Sequence, residues 1–216
     1  MTRAALKITL AASLLAGLAA CGNDEQEDTG VLGVLAQTTG QIVAQRRAEG
    51  QPAVPAKSPE EAAAEALRVN PGPLIQAGFE SLGRTQVMAM TGQNGAMRTF
   101  MTPAEEALIL RGVMLTGTRG LGHDLSVAEA AQSAALVQAG RSGTARRVMR
   151  YYSGDGLERP IDFTCRIGPG PNAGVMVEDC EGHGLSFQNS YLPSAGVSRQ
   201  WVGPGLGYAT IQVLRD

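Results

Sequence analysis

The residues with the richest chemistry form a short group in the middle of the chain, Arg119, His123 and Asp124. A histidine beside a carboxylate is a candidate oriented base, and Ser126 and Ser133 follow as candidate nucleophiles. However, a nucleophile, its base and the orienting acid must converge in space, whereas neighbours in an extended loop point in different directions. The chain also has no Gly-x-Ser-x-Gly elbow, His-Glu-x-x-His pair or Walker loop. A structural or binding role is therefore favoured here over catalysis, whereas an exposed cluster of His123, Asp124 and a serine hydroxyl in one pocket would favour an enzyme.

A second set of residues, Arg199, Trp201 and Tyr208, has the types that bind sugars. An aromatic face packs on sugar C–H groups, and arginine binds the hydroxyls. The alternative is that Trp201, the one tryptophan of the chain, fills the core. Strand alternation predicts Arg199 and Trp201 on one face, which is compatible with both interpretations. The core is favoured because a domain poor in aromatic residues needs its large side chains for packing.

Glycoside hydrolysis would need two carboxylates that converge on one cleft. Glu178 and Asp179 are adjacent in sequence, so in a strand they point to opposite faces. Asp155 and Glu158 are distant from them, and no pair stands out. A glycosidase is therefore a disfavoured alternative.

The N-terminus resembles a bacterial lipoprotein signal. Arg3 and Lys7 precede an apolar run over residues 8–18, and Leu18-Ala19-Ala20-Cys21 ends it. The resemblance implies removal of residues 1–20 and a lipid on Cys21. A transmembrane helix is the alternative, but the run is shorter than the roughly 20 residues that span a bilayer. No aspartate directly follows Cys21, and this favours the outer membrane by the enterobacterial sorting rule.

The two other cysteines, Cys165 and Cys180, are predicted to form a structural disulfide, as expected outside the cytoplasm. A redox pair would need a closer spacing such as Cys-x-x-Cys. A zinc site would have to recruit His123 and His183, and neither has ligand spacing. We therefore expect no metal and no cofactor besides the lipid on Cys21.

Composition narrows the class further. Without the signal the chain carries 16 basic and 20 acidic residues, a net charge of −4, which argues against nucleic-acid binding. The 28 glycines, 11 prolines and few aromatic residues predict many turns and a modest core. The remaining length suits one domain behind a tether. Residues 21–57, acidic at first and then rich in proline and alanine, are predicted to be that flexible tether.

The domain is predicted over residues 58–216. A capping box formed by Ser58 and Glu61 predicts a short surface helix from Pro59 to Leu67. Two strands, 85–91 and 96–102, are expected to form a hairpin. A third strand is predicted over 107–118, bent at Gly112, and then a helix capped by Ser126 with Glu129.

The last third of the chain reads as short strands separated by turns, typical of antiparallel β structure. The predicted strands are 145–152, 159–167, 174–180, 186–192, 196–202 and 207–214. The expected fold class is therefore mainly β, with antiparallel sheets in a barrel or sandwich and short N-terminal helices.

Four features together resemble one protein family. They are the glycine-rich segment 118–125, the segment Arg150-Tyr151-Tyr152-Ser153-Gly154-Asp155, the cysteine pair, and the C-terminal segment 198–208. With the N-terminal signal, they are similar to the YjbF/GfcB lipoproteins associated with exopolysaccharide and group-four capsule production. The C-terminal segment is the most specific of the four.

This resemblance implies a non-enzymatic accessory of polysaccharide export, lipid-anchored on the periplasmic face of the outer membrane. An outer-membrane β-barrel protein of the YjbH/GfcD type is the implied partner, and the polysaccharide is another. Contact residues would come from two groups: Arg119, His123 and Asp124, and Arg199, Trp201 and Tyr208. Two alternatives stay open, namely a periplasmic polysaccharide-modifying enzyme that uses His123 and Asp124, and a purely structural envelope lipoprotein. The role of residues 31–73 stays open as well.

Overall fold

Twelve antiparallel strands form one sheet in the computed structural model, which describes residues 57–152 and 154–216. The strands are β1 (Leu74–Phe79), β2 (Arg84–Asn94), β3 (Met97–Met101), β4 (Ala107–Arg111), β5 (Met114–Arg119), β6 (Leu125–Glu129), β7 (Gly143–Tyr152), β8 (Glu158–Pro169), β9 (Met176–Gly182), β10 (Leu185–Leu192), β11 (Val197–Gly203) and β12 (Gly207–Arg215). The described helices are α1 (Pro59–Val69) and α2 (Ala131–Gln138). The fold is mainly β, as the sequence predicts.

The sheet is a nearly closed up-and-down barrel. Its strand order is β5-β4-β3-β2-β1-β12-β11-β10-β9-β8-β7-β6, so β1 and β12 join the two ends of the domain. Consecutive strands pair all the way round, except β5 and β6, which are the two edges of the sheet. These two strands nevertheless touch, because Gly117 on β5 lies against the backbone oxygens of Leu125 and Ser126 on β6. We call this junction of β5 and β6 the seam.

Side chains, not a strand ladder, satisfy backbone groups at the seam. The Arg119 guanidinium on β5 donates to the carbonyl oxygens of Leu125 and Ser126 on β6, at 3.1 and 3.2 Å. At the other end of β5, the Gln200 amide accepts from the N–H of Leu115 at 2.9 Å and donates to the carbonyl of Val113 at 2.7 Å. The Gln200 amide thus makes the two bonds that a peptide group of a neighbouring strand would make. Exposed strand edges invite pairing with other chains, and these side chains occupy part of that edge.

The barrel interior has an aromatic part and a polar part. Phe187 stacks on Trp201 with ring centroids 4.5 Å apart, and Phe163 meets both rings edge-on. The polar part contains Arg147 on β7 and Glu178 on β9, whose side chains are fully buried. Helix α2 packs beside this polar part against β7, β8 and β9.

The predicted disulfide is present and joins β8 to β9. Cys165 and Cys180 pair across the two strands and are both buried. The link closes a loop with a sequence separation of 15 residues. In the chain-entropy model such a loop contributes about 3 kcal/mol to stability.

Helix α1 confirms the predicted capping box. Ser58 Oγ accepts the N–H of Glu61, and the Glu61 carboxylate accepts the N–H of Ser58. Ala63 is the buried residue of the helix, which therefore lies on the domain surface as predicted. Within the described part of the chain, no helix is both long enough and apolar enough to cross a membrane.

Two local predictions are wrong. Gly112 is not a bend in one strand but part of the turn between β4 and β5, where its φ of 57° suits glycine. Ser126 does not cap a helix: it lies in β6, which pairs with β7, and its hydroxyl donates to Glu158 at 2.7 Å. Helix α2 begins five residues later, at Ala131, without a side-chain cap. Pairing with β7 thus outweighs the local capping signal.

Strand β1 was not predicted. Its sequence, Leu-Ile-Gln-Ala-Gly-Phe, is short and contains a glycine, so it carries a weak strand signal. It forms because it pairs with β2 on one side and with β12 on the other.

Candidate functional site

The candidate site is a cleft of about 560 Å³ at the end of the barrel where the β5–β6 loop emerges. Three segments distant in sequence line it: the loop and start of β6, the end of β7 with the start of β8, and the turn between β11 and β12. Its lining residues are Arg119, Gly122, His123, Asp124, Ser126, Tyr151, Tyr152, Arg159, Ile161, Gly203, Pro204 and Gly205. The fold therefore brings together the three motif segments that the sequence analysis singled out.

Asp124 organises the β5–β6 loop. Its Oδ1 accepts the Thr118 hydroxyl at 2.7 Å, and both of its carboxylate oxygens accept the N–H of Leu121. The Thr118 hydroxyl in turn accepts the N–H of Leu125 at 2.9 Å. These bonds tie the end of β5 to the start of β6, so Asp124 serves as a loop brace.

Two aromatic rings of the cleft lie directly on glycines of the β11–β12 turn. A Cβ atom on Gly205 would come within 2.5 Å of the His123 ring, and one on Gly203 within 2.8 Å of the Tyr151 ring. Tyr151 also donates its hydroxyl to the carbonyl of Val202 at 2.7 Å. Burial raises the pKa of Tyr151, so the hydroxyl stays protonated and remains a donor. The glycines of the C-terminal motif are thus required for the packing of the cleft wall.

The described contacts do not assemble a catalytic triad. Asp124 is bonded to Thr118 and Leu121, and the Ser126 hydroxyl is bonded to Glu158. Neither contact involves His123, although the three residues line the same cleft. Ser133 lies in α2 and does not line the cleft. The pocket that the enzyme alternative requires, with the histidine, the acid and a serine, is therefore present, but the hydrogen bonds of Asp124 and Ser126 go to residues other than His123.

Tyr152 and Arg159 give the cleft an exposed recognition surface. The Tyr152 side chain is 67% exposed, unusual for a large aromatic residue in a chain with few of them. The Arg159 guanidinium lies on the neighbouring strand and pairs with Asp155. Both residues line the cleft, and an exposed ring and a planar hydrogen-bonding group are side chains that bind a sugar or an extended peptide.

Trp201 is a core residue, as the sequence analysis favoured. Its side chain is 8% exposed and packs between Phe163 and Phe187. The prediction that it shares a face with Arg199 is wrong. Trp201 contacts the buried rings of Phe163 and Phe187, whereas Arg199 stacks on Tyr208. The pairing of β11 with β12 shifts register next to Trp201, between it and Gly203, and Asn189 Oδ1 accepts the N–H of Trp201 at 2.7 Å.

Arg199 and Tyr208 lie on the outer face of the barrel, away from the cleft. The guanidinium stacks on the Tyr208 ring, 3.6 Å from its centroid, and forms a two-point ion pair with Glu80 at 2.6 and 2.8 Å. Glu80 lies just after β1, so this cluster ties β11 and β12 to the β1–β2 turn. The predicted contact residues therefore divide into a cleft group, a core residue and this outer cluster.

A buried ion pair inside the barrel was missed by the sequence analysis. Arg147 Nη1 lies 3.1 Å from Glu178 Oε2, and both side chains are fully buried. The same oxygen accepts from Asn189 Nδ2 and from the Tyr191 hydroxyl, each at 2.8 Å. Both charged residues occupy inward-facing positions in strands whose residues alternate between buried and exposed. A charged residue at such a position was the signal that the sequence offered.

Opposing effects set the pKa of Glu178. Burial acts to raise it, but Arg147 and the hydrogen bonds around the carboxylate outweigh burial and hold the pKa below its usual value. Burial likewise acts to lower the pKa of Arg147, and Glu178 more than compensates. Both residues are therefore charged, and the pair is electrically neutral.

Glu178 also lies near the two cysteine sulfurs, a grouping that could suggest a metal site. Both sulfurs are used in the disulfide, so they are not available as thiolate ligands. The grouping is explained by the pairing of β8 with β9 alone.

A family model described as the group 4 capsule polysaccharide lipoprotein GfcB, YjbF, matches residues 47–214. The chain belongs to this family. The YjbF match thus spans the entire barrel, including the cleft and the buried pair.

Among solved structures, the YjbF chain is similar to the hypothetical lipoprotein YmcC from Escherichia coli K12. The similarity has a TM-score of 0.59 at 12% identity, and covers 88% of this chain and 98% of that one. At this identity it shows a shared fold. A comparison with the curated proteins found no match.

His123 and Asp124 were predicted as site residues, but without their partners or neighbours. Arg159 was not predicted as a site residue, and Tyr151 and Tyr152 were predicted only as part of the family motif. Cys21, the predicted lipid attachment site, lies outside the residues that the structure describes.

Proposed function

We propose that this YjbF family protein is a non-enzymatic accessory of exopolysaccharide or capsule secretion that binds the polysaccharide in the cleft. The main support is that three segments distant in sequence converge on one cleft with an exposed tyrosine. An exposed aromatic ring and an arginine at the cleft offer a polysaccharide the apolar face and the hydrogen-bonding group that sugar binding uses.

The non-enzymatic part of the proposal is supported by the hydrogen bonds of the polar residues. Asp124 and Ser126, the acid and the nearest candidate nucleophile, are both engaged in structural contacts. A catalytic cleft would instead direct them at a shared point.

The location we propose is the periplasmic face of the outer membrane, with a lipid on Cys21. The N-terminal signal and the lipoprotein family support a lipid anchor. The tether over residues 21–57 would let the barrel reach an outer-membrane export protein of the YjbH/GfcD type. Labelling with radioactive palmitate, compared between wild type and Cys21→Ser, tests the anchor, and separation of inner and outer membranes tests the location.

A complementation experiment tests the function. A deletion strain receives wild type, Tyr152→Ala, Arg159→Ala or the matched control Val69→Ala, which alters an exposed apolar residue on α1. We expect surface polysaccharide to be lost on deletion, strongly reduced by the two cleft variants, and normal with the control. Normal export from the deletion strain would refute the proposal and favour a structural envelope role.

Direct binding tests whether the cleft recognises the polymer or the exporter. Polysaccharide purified from the same strain is titrated onto wild type and Tyr152→Ala, with changes followed in tyrosine fluorescence and by NMR. Loss of binding in the variant supports the proposal. If export depends on Tyr152 but no polysaccharide binds, the cleft would be a binding site for a protein partner instead. Loss of export with a well-folded His123→Ala variant, together with altered polysaccharide chemistry, would instead support an enzyme.

A further inference from the structure

The polar part of the barrel interior holds several polar atoms without a protein partner. They are Arg147 Nε and Nη2, Glu178 Oε1 and Ser133 Oγ. All three residues are fully buried. They come from different elements, β7, β9 and α2, so the fold gathers them on one interior point.

The two oxygens of the Glu178 carboxylate are used very unequally. Oε2 accepts from Arg147 Nη1, Asn189 Nδ2 and the Tyr191 hydroxyl. Oε1 accepts from no described residue. The Ser133 hydroxyl helps to lower the pKa of Glu178, yet it lies outside hydrogen-bonding geometry. The carboxylate therefore has an oxygen that still needs a donor.

Arg147 shows the complementary asymmetry. Its Nη1 contacts both Glu178 Oε2 and Met114 Sδ, the latter at 3.2 Å. Nε and Nη2, which form the side-on fork of the guanidinium, have no acceptor among the described residues. Arg147 and Glu178 are in contact through Nη1 and Oε2, and each keeps polar atoms that this contact does not use.

Buried polar groups in folded proteins are nearly always hydrogen-bonded to protein or to internal water. An internal water typically has three polar partners, and this point offers donors, an acceptor and a hydroxyl. An anion on the arginine fork is disfavoured because Glu178 already neutralises Arg147 and would repel it. A cation near Glu178 is disfavoured by Arg147 for the same reason. The balance of charge selects a neutral ligand.

We propose that this point is an internal water site, in which ordered water bridges the side-on fork of Arg147 to Glu178 Oε1 and Ser133 Oγ. The remaining polar groups that face the pair are Asn189 and Tyr191 on β10, and both already bond Oε2. The site takes a single water or a short chain of waters.

Met114 separates this site from the surface. Its sulfur contacts Arg147 Nη1 and the Tyr191 hydroxyl, and Met114 also lines an apolar groove of about 810 Å³ whose walls come from β2 to β6 and α2. Ala134 of α2, the neighbour of Ser133, lines the same groove. Exchange of the internal water with solvent therefore proceeds past Met114.

The test uses the mature chain with Cys21→Ser, and its first arm is a crystal structure at about 1.5 Å. We expect water density within hydrogen-bond distance of Glu178 Oε1 and of Arg147 Nε or Nη2. Side-chain positions that satisfy these atoms with protein partners would overturn the proposal. So would density and anomalous signal for chloride or another ion.

The second arm measures long-lived internal water in solution by ¹⁷O magnetic relaxation dispersion. We expect Arg147→Met combined with Glu178→Met to abolish the signal from this site, and the exposed-pair control Arg150→Met to retain it. Ser133→Ala, a milder change that keeps the ion pair, is expected to shorten the water residence time roughly fivefold by removing one hydrogen bond. Met114→Ala is expected to shorten it more, by opening the path from the groove. A dispersion signal unchanged in every variant would refute the site.

Discussion

Removing one member of the buried ion pair should lower the free energy of unfolding of the barrel far more than removing both. In Glu178→Met, the Arg147 guanidinium stays fully buried without its counter-ion, and in Arg147→Met the carboxylate does. Loss of one partner of a buried pair typically costs about 3–5 kcal/mol, because the remaining charge is uncompensated. We expect each single variant to lose that much of its free energy of unfolding.

The double variant should recover most of this loss. It carries no uncompensated charge, and methionine has a volume close to that of both side chains. The recovery is incomplete because Asn189 Nδ2 loses its acceptor, and Tyr191 keeps only its contact with Met114 Sδ. One buried donor left unpaired costs about 1–3 kcal/mol. The double variant is therefore expected near that value, well below the sum of the two single losses.

The assay is urea unfolding of the mature chain with Cys21→Ser, followed by fluorescence. Trp201 is the one tryptophan and lies in the core, so its emission reports the folded barrel. Arg150→Met, on the same strand β7, is the control: its two-point bond to Glu129 lies on the surface, and we expect a small change in midpoint. Single losses that add up in the double variant would refute the coupling between Arg147 and Glu178.

Three further predictions follow from the same contacts. The pKa of Glu178 is lower in the folded than in the unfolded state, so its stabilising effect is present above about pH 4.5 and is lost as pH falls through the lower folded pKa. The wild type and the Arg147→Met, Glu178→Met double variant are compared under conditions that give both the same stability at pH 7. Acid unfolding should then start at higher pH in the wild type, and equal profiles would contradict this. Replacing Cys165 and Cys180 together by alanine should cost about 3 kcal/mol of unfolding free energy, measured by urea unfolding, and dithiothreitol should have no further effect on that variant. Arg119→Met should leave the carbonyls of β6 without their donor and raise hydrogen exchange selectively in β6 and its partner β7, whereas uniform exchange across the barrel would refute its role at the seam.

Much of the fold was predictable because local patterns agree with the tertiary structure. The hairpin of β2 and β3 and the strands of the last third follow from alternation between turn residues, and the capping box of α1 uses neighbouring groups only. Ser126 and Glu129 formed an equally good capping signal, but both residues lie in β6, which pairs with β7. The local pattern failed where a long-range ladder competed with it.

The candidate site was predictable only in part. His123 and Asp124 attracted attention as residue types, but the bonds of Asp124 to Thr118 and Leu121 depend on the shape of the loop. Trp201 was predicted to share a face with Arg199, but it packs on Phe163 and Phe187 in the core, next to a register shift in β11. Such a shift arises from pairing between strands and leaves little trace in either strand alone.

The sequence by itself determined the class of the protein: one β-rich domain, a cysteine pair and motifs of the YjbF family, behind an N-terminus that resembles a lipoprotein signal. These are properties of single segments, which short-range sequence patterns record. The tertiary structure alone decided which motif segments share a cleft, that β5 and β6 leave a seam, and that Arg147 meets Glu178 inside the barrel. The physical reason is closure, because a barrel brings residues far apart in sequence together and shields its interior from bulk solvent, so that buried charges must be paired.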